Sequence, residues 1–140
     1  MQTGSFTGFD VELKDPGIAW IRFNTPERLN GMSTAIKRDL IETLAQAQMD
    51  NRVRVVVFTG SGRAFCAGDD LKRDKPVSGQ SLLPEIPRGH DTPIATYDAL
   101  RLVSQPLNSA VRNLDKLSIA AINGVAIQTG FTLALACDFR

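Results

Sequence analysis

Histidine, tryptophan and tyrosine each occur once in this chain of 140 residues, and cysteine only twice. The two cysteines, Cys66 and Cys137, stand far apart and form no C-x-x-C pair. With a single histidine, His90, beside them, neither a disulfide framework nor a zinc site is expected, and a reducing compartment is the simpler setting. Charge of one sign is not in excess either: 16 Lys and Arg oppose 15 Asp and Glu, for a formal net charge of +1. That balance gives no electrostatic reason to expect nucleic acid or an anionic membrane as the main partner. No apolar run approaches the roughly 20 residues a bilayer-spanning helix needs. The opening, MQTGSFTGFD, has neither the apolar core of a signal peptide nor the arginines of a transit peptide. A soluble, cytoplasmic globular protein is expected. With 43% hydrophobic residues, the chain has the material for one domain with a real core, over residues 1–140.

Short-range pattern divides that domain into elements. Phe9 to Lys14 and Ile18 to Phe23 alternate apolar and polar residues around Asp15-Pro16-Gly17, which predicts a β-hairpin. Asn24-Thr25-Pro26 opens a loop, ERLNGM, after which Ser33 is placed to cap a helix. Ile36, Leu40, Leu44 and Ala47 form its apolar stripe, and Lys37, Arg38, Asp39 and Glu42 are expected on a solvated face. Val53 to Phe58 is β-branched and apolar enough for a strand covered on both faces, ending in Gly60-Ser61-Gly62. From Lys72 to Pro93 the prolines at 76, 84, 87 and 93 predict a loop or lid within the domain. Tyr97, Leu100, Val103, Leu107, Val111 and Leu114 then mark a long helical segment that Pro106 should kink or split. Ser118 to Ile122 predicts another buried strand, and Gly130 to Cys137 a buried apolar helix. Asp138-Phe139-Arg140 enters a further strand, so the domain is expected to be truncated at its C-terminus.

Two segments carry chemistry, and they share a design: a buried strand, a turn with glycine, then a polar or helical stretch. The first is Arg63-Ala64-Phe65-Cys66-Ala67-Gly68-Asp69-Asp70-Leu71; the second runs from Asn123-Gly124 to Gln128-Thr129-Gly130. Glycine lets a backbone approach a ligand closely, and a helix N-terminus offers unpaired N–H groups to developing negative charge. Two such loops, if they converge, make an oxyanion hole, in which each donor contributes on the order of 3 kcal/mol to transition-state stabilisation. Glycine after a buried strand more often marks only a turn, and spacing alone does not bring the two loops together.

Ala67, Gly68, Asp69, Asp70 and Leu71 resemble the A-G-x-D-L phrase of the crotonase (enoyl-CoA hydratase/isomerase) superfamily. Asn123, Gly124, Ala126, Gly130, Leu133, Ala134, Cys137 and Asp138 resemble its later glycine-rich phrase, and Pro26-Glu27-Arg28-Leu29-Asn30 its first loop. The resemblance covers nearly the whole chain in the right order. It implies an α/β crotonase-type spiral of strand–strand–helix units, incomplete at the C-terminus. It also implies an enzyme acting on an acyl-coenzyme A thioester, most simply an enoyl-CoA hydratase or isomerase, that stabilises an enolate. The family's two backbone donors would fall on the N–H groups of Asp69 and Thr129. Arg28, Leu29, Asn30, Ala67, Gly68, Asp70, Leu71, Gln128 and Gly130 would line the substrate. A guanidinium at Arg28 suits a CoA phosphate, although a solvent-facing loop arginine explains it as simply. No cofactor is implied beyond the coenzyme A of the substrate, and the full-length protein would form a homotrimer or hexamer.

Gln128 and Thr129 replace two of the family's three consecutive glycines, and Thr132 stands where its hydratases carry a glutamate. A threonine hydroxyl orients but does not abstract protons well, so the acid/base group is expected beyond Arg140. Asp138 belongs to the family's C-D phrase and is expected to serve the fold. Two other readings stay open: the same fold as a non-catalytic CoA-binding or assembly protein, and a nucleotide-binding domain, against which the lack of G-x-G-x-x-G counts. His90 is expected to be an exposed loop residue, Cys66 an unreactive thiol, and Trp20 a core residue.

Overall fold

The computed structural model describes residues 1–70 and 92–140. Most of the proline-rich segment 72–93, with His90, lies outside the described residues, as does Leu71.

The anticipated hairpin forms with the anticipated limits, β2 (Phe9–Lys14) and β3 (Ile18–Phe23), paired antiparallel with Val11 opposite Ile21. A short strand the sequence did not announce, β1 (Gly4–Phe6), adds to its edge. A 3-10 turn over Pro26–Arg28 leads to α1 (Thr34–Met49), where the Ser33 hydroxyl accepts a hydrogen bond from the Ile36 N–H at 3.3 Å. β4 (Val55–Gly60) and β6 (Leu117–Ala120) extend the sheet in parallel, giving the order β1-β2-β3-β4-β6. A second, two-stranded parallel sheet joins β5 (Ala64–Cys66) to β7 (Val125–Ala126). It sets the two chemistry-bearing segments side by side.

Alternation decides what is buried. Phe9, Val11, Ala19, Ile21 and Phe23 from the hairpin and Val56 and Phe58 from β4 form one apolar cluster with Ile36, Leu40, Leu44 and Ala47 of α1. Rings reinforce it where Phe65 meets Phe23 edge-on at 5.5 Å. Trp20 lies on the opposite sheet face and is only half-buried, stacked under the Lys14 ammonium, so the core position expected of it goes to its neighbours Ala19 and Ile21. Lys37 departs further: expected in solvent, it is buried, 4% exposed.

The expected long helix is broken into α2 (Pro93–Ala99), a π-helical turn over Leu100–Ser104, and α3 (Gln105–Arg112). Pro106 has no N–H to return to the Leu102 carbonyl, and the chain widens just before it, with the Gln105 N–H reaching the Leu100 carbonyl. Tyr97 and Leu100 of the expected stripe are exposed, while Val103, Leu107 and Val111 keep their buried positions. α4 (Thr129–Ala136) buries Leu133 and Ala134 but exposes Phe131 and Leu135, so it is apolar on both sides and buried on one. Ile122, expected within a buried strand, lies beyond the end of β6 and is exposed. Among the described residues, no helix is long and apolar enough to cross a membrane.

The last residues return to the sheet. Phe139 bridges Ile119 in parallel, and the Asp138 carboxylate accepts hydrogen bonds from the Ser118 N–H at 2.9 Å and the Ser118 hydroxyl at 2.8 Å. Asp138 therefore serves the fold, as its place in the C-D phrase implied. These bonds hold its carboxyl below the usual carboxylate range. A carboxyl lowered in the folded state stabilises above its unfolded pKa of about 3.9, and that stabilisation is lost as pH falls through the folded value. Asp138→Ala is expected to lower the denaturation midpoint at pH 7. The gap from the native sequence should narrow as unfolding curves are taken toward pH 3.

Candidate active site

The two chemistry-bearing segments converge, and three loops take part. The first is 28–32, where Leu29 and Asn30 turn the chain with φ of 52° and 58°. The second is 66–70, and the third 127–130. Backbone hydrogen bonds lace them together: Ala67 N–H to the Leu29 carbonyl at 2.9 Å, Met32 N–H to the Gly68 carbonyl at 2.9 Å, and Asp70 N–H to the Met32 carbonyl at 3.0 Å. Ile127 N–H donates to the Cys66 carbonyl at 3.0 Å. Gly130 permits the last approach, because a Cβ there would lie 2.2 Å from the Cys66 oxygen.

Asn30 and Asn123 act as pins for this arrangement. The fully buried Asn30 side chain donates to the carbonyls of Ser61 at 2.9 Å and Ala64 at 2.8 Å and accepts from the Thr25 N–H at 3.1 Å. Asn123 donates to the Gly62 and Ala64 carbonyls and accepts from the Gly60 N–H. The Asn30 side chain thus points into the protein rather than toward a ligand. Arg28 is more open, and its guanidinium pairs with the Asp70 carboxylate.

The two expected donors lie on facing loops. Gly68, with φ of 102°, turns the chain so that Asp69 faces Gln128. Thr129 is the first residue of α4, where backbone N–H groups have no partner within the helix. The Asp69 N–H is occupied from within: it donates to the Gln128 side-chain carbonyl at 3.2 Å. An amide oxygen thus sits on a donor expected to receive a thioester oxygen. Gln128 takes φ 47°, ψ −113°, a conformation that favours glycine.

The side chains add a feature that sequence reasoning missed. Asp69 Oδ1 accepts a hydrogen bond from the Thr129 hydroxyl and lies 2.7 Å from Lys37 Nζ. Lys37 also donates to Ser104 Oγ at 2.9 Å. The apolar stripe of α1 gave one signal: Lys37 follows Ile36 directly and shares its side of the helix with Leu40, Leu44 and Ile41 at helical spacings.

Thr132 donates to the Thr129 carbonyl at 3.2 Å and lies 3.5 Å from the Asn108 amide nitrogen. Among the described residues, these neighbours orient the hydroxyl and supply no base to it. Cys66 is buried behind the site, and burial pushes its thiol up to about 11, which accords with an unreactive residue.

The strain at Gln128 is measurable. A non-glycine residue held in such a region costs on the order of 1 kcal/mol or more. Gln128→Gly is expected to raise the unfolding free energy by about that amount, less the added backbone entropy of glycine in the unfolded chain. Chemical denaturation reads the change.

Residues 14–140 match the enoyl-CoA hydratase/isomerase family. The chain is 40% identical over 130 residues to the "Probable enoyl-CoA hydratase echA12" of Mycobacterium leprae, covering 93% of this chain and 42% of that one. It is 35% identical over 133 residues to the 1,2-epoxyphenylacetyl-CoA isomerase of Escherichia coli, covering 93% and 45%. Among solved structures, an enoyl-CoA hydratase from Bacillus anthracis superposes with a TM-score of 0.78 at 32% identity, over 95% of this chain and 46% of that one. The chain spans somewhat less than half the length of the relatives it matches. Its α/β architecture is that of the crotonase fold in part, and the chain belongs to the enoyl-CoA hydratase/isomerase family.

Proposed function

We propose that the protein containing this chain is an acyl-CoA enzyme of the hydratase or isomerase kind, and that the Asp69 and Thr129 N–H groups form its oxyanion hole. The observation that carries this reading is the carbonyl oxygen of Gln128 on the Asp69 N–H. A donor that already accommodates an amide oxygen has the polarity and access to receive a thioester oxygen in its place. As the α-carbon of the thioester gives up a proton, charge moves onto that oxygen. Fixed donors then stabilise the enolate without reorganising. Ligand entry requires Gln128 to swing aside, and its exposed side chain leaves room for that.

The remaining roles follow from position. Gly68 and Gly130 supply close backbone approach, and Leu29, Ala67 and Asp70 flank the chain of the substrate. Asn30 contributes by fixing the loop that presents Arg28. The Arg28 guanidinium, paired with Asp70 yet 40% exposed, offers its remaining donors to a CoA phosphate. Thr132 leaves the proton-carrying group to a residue outside this chain. Phe131, Leu135 and Phe139 present apolar surface that suits burial against further protein in a trimer or hexamer.

A second reading has its own observation. Thr132, standing where the family's hydratases carry a carboxylate, fits a protein that binds CoA esters without converting them. Isothermal titration of the full-length protein with a panel of enoyl-CoA esters, followed by turnover assays on those that bind, separates the two. Binding with turnover supports the enzyme, binding without turnover supports the second reading, and no binding overturns both. Within the enzyme reading, Thr129→Pro removes the N–H and Thr129→Ala keeps it, while both lose the hydroxyl. The proline variant is expected to have kcat lower than the alanine variant by roughly 10²–10³-fold, and equal rates would remove Thr129 from the hole.

A further inference from the structure

The Lys37 side chain is 6% exposed and the Asp69 side chain 15% exposed, and their charged atoms are 2.7 Å apart. A lysine is rarely buried unless paired, and a buried pair seldom repays its desolvation through stability alone. This pair joins three separate parts of the molecule. Lys37 comes from α1, Asp69 from the 66–70 loop of the site, and Ser104, which accepts the second Lys37 hydrogen bond, from the π-helical turn. The Thr129 hydroxyl completes the cluster by donating to the oxygen that Lys37 contacts, so one carboxylate atom ties the 66–70 and 127–130 loops to α1.

The location of the carboxylate poses an electrostatic problem. Asp69 offers its backbone N–H to a ligand oxygen, and its side chain carries a negative charge within the same residue. A like charge beside an oxygen that is gaining negative charge opposes that gain, most strongly where water is excluded. An ammonium on the carboxylate cancels the opposing field while leaving the N–H available.

We propose that Lys37 is a positioning residue of this site: its buried ammonium neutralises and holds the Asp69 carboxylate, so that the Asp69 N–H can polarise a ligand carbonyl. The proposal rests on the oxyanion-hole reading above and adds to it a residue from outside the two donor-bearing loops. A purely structural ion pair would make stability depend on Lys37 and leave the ligand unaffected. The positioning role makes carbonyl polarisation depend on the net charge of the pair, which a double substitution restores.

The test uses the full-length protein and an enoyl-CoA thioester isotopically labelled at its carbonyl, read by difference infrared spectroscopy in the bound state. In the native sequence the bound carbonyl band is expected to move to lower frequency than in free thioester. Lys37→Met should bind the thioester with a smaller shift, because the carboxylate is no longer compensated. Lys37→Met combined with Asp69→Asn should recover the shift, and Asp69→Asn alone should exceed that of the native sequence. A full shift in Lys37→Met overturns the proposal, as does an equal loss in Lys37→Met and the double variant, which would make Lys37 structural only. If Lys37→Met does not fold, Asp69→Asn decides: a larger shift supports the role, and an unchanged or smaller one overturns it. A native protein that binds the thioester with no shift, or does not bind it, refutes the oxyanion-hole reading itself, and the proposal falls with it.

Discussion

The contact on which the site depends is the approach of Gly130 to the Cys66 carbonyl. A single methyl group there would sit 2.2 Å from the oxygen, inside any tolerable separation. Because it is absent, α4 starts directly against the end of β5, the Ile127 N–H reaches the same carbonyl, and Gln128 and Thr129 come to face Gly68 and Asp69. Every element of the proposed chemistry sits downstream of that approach. The N-terminal dipole of α4 is aimed at the loop only because the helix begins there.

Around this contact the fold distributes tasks between backbone and side chains. Backbone bonds align the loops 28–32 and 66–70, and the amides of Asn30 and Asn123 pin the turn after β4 through the shared Ala64 carbonyl. Charge enters through a separate route, from Lys37 on α1 to Asp69. A site whose donors are backbone groups cannot adjust them by changing side chains. Its electrostatics are therefore set by what surrounds those donors, and here that includes a carboxylate and its buried counter-ion.

Much of this was legible in the sequence where a physical period or a specific turn residue fixed the outcome. The hairpin, the Ser33 cap and the stripe Ile36, Leu40, Leu44 and Ala47 appear as expected because alternation, capping and helical spacing all agreed. β1, β5 and β7, of two or three residues each, were too short for any period to show. Pro106 announced an interruption but not its form, since a missing N–H can be answered by a kink, a break or the π turn that occurs. Lys37 departs from expectation because a charged residue on a helix is ordinarily solvated, and its partner lies 32 positions along the chain on a loop whose approach no local pattern encodes. Glycine spacing marked Asp69 and Thr129 as facing residues only through family resemblance. That Gln128 would fill the gap between the loops depends on a backbone conformation its side chain does not favour.

The most direct test of the converging-loop account is a crystal structure of the full-length protein with a bound, unreactive acyl-CoA thioester analogue. The account predicts the thioester oxygen about 3 Å from both the Asp69 and Thr129 nitrogens, with the Gln128 side chain displaced from the Asp69 N–H. A thioester bound elsewhere, with Gln128 still in place on Asp69, would contradict it.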